Sequence, residues 1–206
     1  MHGLFIAFPS YYCFVCWCIK FLFSDFQSKS KDLIKLQDYR RILEAYEELN
    51  EAMTLANSFL SYPMFIEVLV DMIKLFWFGC NFAFMRDNDT QASIVFCFGI
   101  VQSLILLSIV LLPAAAANKA AYLAWEVVTS LPAWFPMQYK KIKMYVHQRF
   151  VSNVSLTLWD IYTIDKSLFI TALGTILTYG VLLATLGNTQ NPKNDNSSTN
   201  NLYIQQ

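Results

Sequence analysis

From Gln91 to Asn118 the chain carries no Asp, Glu, Lys or Arg. Its apolar part, ASIVFCFGIVQSLILLSIVLLPAAAA, is longer than the roughly 20 residues a helix needs to cross a bilayer. Ser167 to Gly187, SLFITALGTILTYGVLLATLG, is a second uncharged run. At 1.5 Å per residue it reaches about 32 Å, close to the hydrocarbon thickness. A chain of 206 residues is too short to bury two such helices in a water-soluble core. Composition agrees: 15% of residues are charged, against about 25% in soluble domains. The sequence therefore predicts an all-α integral membrane bundle.

Two further spans are weaker. Tyr62–Met85 is apolar but includes Glu67, Asp71 and Lys74. Gly3–Phe23 is rich in Phe, Tyr, Trp and Cys, and Lys20 near its end can snorkel to the interface. It lacks the basic start and small-residue cleavage site of a signal peptide. Four spans result, and Lys/Arg set their direction. Lys20, Lys29, Lys31, Lys35, Arg40 and Arg41 follow the first span. Lys119, Lys140, Lys141, Lys143, Arg149 and Lys166 lie between the third and fourth, and the short loop MRDNDTQ holds only Arg86. Both basic segments belong in the cytoplasm; the short loop and the C-terminus belong outside.

The expected organisation is a transmembrane helix at 1–24, a cytoplasmic amphipathic helix at 25–61 and a transmembrane helix at 62–85. An extracellular loop at 86–91, a transmembrane helix at 92–117 and a cytoplasmic segment at 118–166 follow. A last transmembrane helix at 167–187 and a disordered extracellular tail at 188–206 complete it. Asn88 and Asn196 open sequons on the outer side and are candidate glycosylation acceptors, whereas Asn153 falls inside.

Leu36, Tyr39, Leu43, Tyr46, Leu49, Met53 and Leu60 recur at helical steps, with Asp38, Arg41, Glu44, Glu47, Glu48 and Glu51 on the other face. Ser28 and Ser30 are candidate N-caps. Nothing breaks the pattern before Pro63, so one rod can run from cytoplasm into the second span. Pro113 is expected to end or kink the third span. Ser152–Asp165 is β-branched and polar, and reads as an extended link into the last span.

Catalytic chemistry finds no support. The 15 basic and 15 acidic residues cancel, so no global field attracts nucleic acid. His2 and His147 are the only histidines. Cys13, Cys16 and Cys18 lie inside a span without a second ligand pair, and read as small hydrophobes. No nucleophile–base pair, metal cluster or cofactor motif is present, so no catalytic residue, metal or cofactor is expected.

Polar residues inside the spans are the functional candidates. Thr171, Thr175, Thr178, Leu182 and Thr185 form one stripe along the last helix, with Tyr179 beside it. A hydroxyl-lined face interrupted by one leucine fits a pore with a hydrophobic constriction that gates by dewetting. Back-bonding of the hydroxyls to the helix's own carbonyls, with Gly174 and Gly180 aiding helix packing, is the alternative. Glu67, Asp71 and Lys74 share one face of the second span, and Asp71–Lys74 can pair at i, i+3. They mark either an inward-facing functional pair or a helix that enters the bilayer only near Lys74.

The segment IYTIDKSLFITALGTILTYGVLLATLG resembles the C-terminal signature of arthropod gustatory receptors, in the insect chemoreceptor superfamily. There an apolar-Asp-x-Ser-Leu segment leads into the last helix; here Ile164, Asp165, Ser167 and Leu168 match it. The family's Thr-Tyr is matched by Thr178-Tyr179, followed by Gly180, Val181, Leu182, Leu183 and Ala184. The family's Gln and Phe positions hold Thr185 and Leu186. The layout is similar to the last four of the family's seven helices, in the same orientation.

The resemblance implies a subunit of a tastant-gated, non-selective cation channel in the plasma membrane. It implies a homo- or hetero-tetramer with other chemoreceptor subunits, a small-molecule tastant as ligand, and the last helix lining the pore. Thr178, Tyr179, Leu182 and Thr185 would then be pore or gate positions. With the family's first three helices unmatched, a partial receptor chain is expected. The rival readings are a complete four-span scaffolding or binding protein without channel activity, and a membrane-embedded enzyme.

Overall fold

A computed structural model describes residues 2–83, 90–150, 154–159 and 161–190. In chain order these form α1 (His2–Lys35), α2 (Tyr39–Ala83), α3 (Thr90–Trp134), a 3-10 turn (Pro136–Gln138) and α4 (Tyr139–Arg149). The strands β1 (Thr157–Leu158) and β2 (Tyr162–Thr163) lead into α5 (Lys166–Gln190). Among the described residues the fold is all-helical but for this hairpin and its short connections.

α1 ends in a Schellman arrangement: Gln37 N–H donates to the Ile34 carbonyl and Asp38 N–H to the Leu33 carbonyl, both at 3.1 Å. Gln37 takes the left-handed conformation (φ 60°) that this cap requires. Asp38 then opens α2, its Oδ1 accepting the Arg41 N–H at 3.4 Å. The expected start of the amphipathic helix is thereby corrected. Ser28 and Ser30 lie inside α1, Ser30 Oγ donating to the Gln27 carbonyl at 3.0 Å. The boundary drawn at 24/25 also falls within α1, which continues as one helix from His2 to Lys35.

α2 runs unbroken through Pro63, as the single rod of the sequence reading. α3 likewise continues through Pro113 and Pro132 to Trp134, so Pro113 does not end it. One missing N–H is tolerated where tertiary packing holds the turns on either side. That packing is dense, because Ala114, Ala115, Ala117, Ala120, Ala121 and Ala124 are all buried. Small side chains let α1 approach α3 closely, and this is the most extensive helix pair. Gln27 Nε2 reaches across it to the Ala120 carbonyl at 3.0 Å.

The core is one stripe per helix: Tyr12, Cys16, Ile19, Phe23 and Phe26 of α1 against Met53, Leu60, Met64 and Val68 of α2 and Leu107, Val110 and Leu111 of α3. Where the charged half of α2 meets α4, Tyr46 is buried between Phe26 and Phe150, with centroids 5.8 and 4.9 Å away. Glu47, read from sequence as a solvated face, accepts from Arg149 Nε at 2.9 Å and from the Tyr145 hydroxyl at 3.2 Å. Burial and the Glu47 carboxylate raise the Tyr145 phenol above its usual range, burial contributing more.

The apolar residues do not all go inward. Phe14, Trp17 and Phe21 of α1, Ile94, Val95 and Phe98 of α3, and Ile170 and Leu177 of α5 are exposed. Ala7–Lys35 and Gln91–Trp134 are long and apolar enough to cross a membrane. Apolar surface of this extent on a helical exterior marks contact with lipid or another protein.

Candidate functional site

The chain enters α5 through the hairpin, and two asparagines on neighbouring helices hold that hairpin. Asn118 is a buried residue of α3. Its Nδ2 donates to the carbonyls of Leu156 (2.9 Å) and Ile164 (2.7 Å), and its Oδ1 accepts the Leu156 N–H at 2.6 Å. Its amide thus spans both strands, beside the backbone bond from Ile164 N–H to the Leu156 carbonyl at 3.2 Å. Asn57 of α2 grips the outer side: its Oδ1 accepts the Thr157 N–H at 2.7 Å, and its Nδ2 donates to Thr157 Oγ1 at 3.1 Å. Trp159 N–H donates to the Ser61 carbonyl at 3.4 Å, and its ring packs on Tyr62 and Phe65 at 5.5 and 5.3 Å.

The residues singled out at 164–168 have distinct physical roles here. Ile164 is fully buried. Asp165 N-caps α5, its Oδ1 accepting the Leu168 N–H and the Ser167 hydroxyl, both at 2.8 Å. The Leu168 N–H and then the Ser167 hydroxyl hold this carboxyl below the usual carboxylate range. Leu168 is half-buried and packs on the core. The extended link expected from β-branched content is this hairpin, Thr157 opposite Thr163 and Leu158 opposite Tyr162.

Above the cap, α5 packs on α2 and α3 along one side. Thr171, Thr175, Thr178, Leu182 and Thr185 are all exposed. Three of the hydroxyls donate within the helix at 2.8 Å: Thr175 to Thr171, Thr178 to Gly174 and Thr185 to Leu182. Thr171 and Thr175 also edge a cavity of about 320 Å³ against Phe65, Leu69 and Met72 of α2. Leu182 stands 52% exposed on the same side. The side chain of Tyr179 lies outside the described set, as do Asn88, Asn153, Asn196 and residues 191–206.

A second groove, of about 440 Å³, separates the distal half of α5 from α2 and α3. Leu75, Gly79, Ile100, Leu104, Leu173, Ile176, Leu177, Gly180 and Val181 line it. Every lining residue is apolar or glycine. α5 is therefore bonded firmly at its N-terminal end and packed loosely further along.

Asp71 is 2% exposed, and Lys74 Nζ lies 3.0 Å from its Oδ1. Asp71 Oδ2 and Glu67 Oε1 are buried without a hydrogen-bond partner among the described residues. The face read from sequence thus holds the Asp71–Lys74 ion pair with a second carboxyl, Glu67, on the same face. Cys13, Cys16, Cys18, Cys80 and Cys97 are free thiols, and among the described residues no group of three or more His, Cys, Asp or Glu is placed to hold a metal.

Asn57 and Asn118 were not singled out by sequence. The signal available was Asn118 itself, a lone carboxamide directly after Ala114–Ala117. No protein-family model matches the chain, and no curated protein matches it.

Proposed function

We propose that the chain is part of a gustatory-receptor-type subunit of a tastant-gated, non-selective cation channel, with α5 lining the pore. In this reading α1, the distal half of α2, the first half of α3, and α5 are four spans of a plasma-membrane protein with its C-terminus outside. The chain assembles with further chemoreceptor subunits around the face that α5 leaves uncovered. The observation that supports it is the route into α5. Ile164 plugs the core, Asp165 caps the helix, and the helix then leaves Thr178, Leu182 and Thr185 exposed, with Thr171 and Thr175 at the edge of the cavity against α2. A hydroxyl face with one apolar ring position suits a wet path closed by dewetting.

Expressed in a full-length assembly, Leu182→Ser should raise the resting cation conductance; an unchanged basal current removes Leu182 from the gate. A tag placed after Gly187 should be cleaved by protease added outside intact cells, and protection of that tag overturns the topology.

A four-span scaffolding protein is the second reading. The hydroxyl bonds from Thr175, Thr178 and Thr185 to their own helix favour it, because they leave less hydrogen-bonding capacity for pore water. Absence of any cation current from assemblies in which the chain reaches the surface selects it.

A further inference from the structure

We propose that Asn57 and Asn118 are the positioning residues of α5: through the hairpin, rather than through α5's own packing, they set where that helix stands against α2 and α3. Three of the four hydrogen bonds that Asn118 can make go to the hairpin, with both Nδ2 hydrogens on carbonyls and Oδ1 on an N–H. The two carbonyls belong to residues flanking the turn, Leu156 and Ile164, so one side chain fixes entry and exit of the hairpin together. Asn57 fixes the adjoining Thr157 from the other helix.

The Asn118 bonds are buried, where a lost partner leaves unpaired backbone groups out of water. Asp165 and the first turn of α5 follow Ile164 directly, so the clamp acts at the root of the helix. Farther along, the 440 Å³ apolar groove supplies no polar contact to hold the helix at one angle. A helix anchored at its root and loosely packed beyond it takes its direction from the anchor. Only the consequence for conduction rests on the channel reading; the placement of α5 does not.

The test measures distance, not current. Spin labels are placed on Leu182 of α5 and Val101 of α3, with Ile73 of α2 and Val101 as a reference pair, in phosphatidylcholine nanodiscs. All three positions are exposed, and the five native cysteines are replaced beforehand. Asn118→Asp keeps the acceptor and removes both donors, while Asn57→Ser removes an amide from a less buried site. In each variant the 182–101 distribution should shift or broaden while the 73–101 distribution stays put. Hydrogen exchange at Leu156–Ile164 should rise at least tenfold.

An unchanged 182–101 distribution beside faster hairpin exchange overturns the proposal, since the hairpin would then be loosened without consequence for α5. If Asn118→Asp also disturbs the reference pair, Asn57→Ser decides. A shifted α5 in a chain that carries no current under any condition upholds the positioning role and overturns the channel reading.

Discussion

Asp165 accepts the Leu168 backbone N–H at 2.8 Å, so a single exposed carboxylate closes the first turn of α5. Removing an N-cap costs about 1 kcal/mol. Asp165→Ala should lower the stability of α5 by that order at pH 7, read as faster amide exchange over Ser167–Ile170. Asp165→Asn should preserve the cap. The pH dependence separates the two contributions. The folded carboxyl titrates below its usual value, so its stabilisation is present above that value and is lost as pH falls through the lowered one. Wild type should lose part of its α5 protection as pH falls below the usual carboxylate range, and Asp165→Asn should show no such step.

The Phe78 ring of α2 lies 2.8 Å from where a Cβ on Gly99 of α3 would be placed, so this contact leaves no room for a side chain at Gly99. Gly99→Ala must displace that ring within a cluster that includes Trp77 and Phe96. Overpacking of this kind costs about 1–3 kcal/mol. The double variant with Phe78→Leu should recover most of the loss in thermal unfolding, because the two changes share one contact. Gly79→Ala and Gly180→Ala meet nothing within 4 Å and should show no loss. Equal damage at all three positions would show that glycine serves something other than this approach.

Lys74 is 39% exposed at its side chain while Asp71 is 1% exposed, so the pair is asymmetric: the carboxylate depends on the ammonium, and the ammonium can reach outward. Lys74→Met leaves a buried charge beside the unpartnered Glu67 Oε1. Loss of one partner from a fully buried pair costs about 3–5 kcal/mol, and the exposure of Lys74 brings the expectation to the low end, near 3. Asp71→Leu combined with Lys74→Met should restore most of that stability. A double variant as unstable as Lys74→Met alone would show that Asp71 makes a contact of its own.

Periodicity disclosed what is local, and little else. The rod through Pro63 was legible because its apolar steps persist across the proline. The end of α1 was not, because its left-handed cap position holds Gln37 where glycine would have signalled it. The Asp165 cap could be read as a motif, since donor and acceptor are three residues apart. Asn118 could not, because its partners lie 38 and 46 residues away and are backbone groups, which leave no mark on composition. The threonine stripe was legible as a stripe, but spacing alone does not tell a hydroxyl facing water from one bonded to its own helix.

Tyr46 sits 1% exposed between Phe26 and Phe150, and burial pushes its phenol up to about 12. The unfolded phenol ionises near its usual value of about 10. Below that value both states are neutral and the group has no effect on stability. As pH rises from about 10 towards 12 the unfolded chain loses this proton first, and the folded state is progressively destabilised. Tyr46→Phe keeps the ring packing and removes the titrating group. Thermal unfolding in detergent should therefore match wild type at pH 7 and exceed it at pH 11. Part of the alkaline loss should remain in the variant, because the Tyr145 phenol is also raised, by burial and by Glu47. Identical alkaline limbs in the two proteins would show that Tyr46 is reached by water in the folded state, and that the contact between α1, α2 and the end of α4 opens before the bundle unfolds.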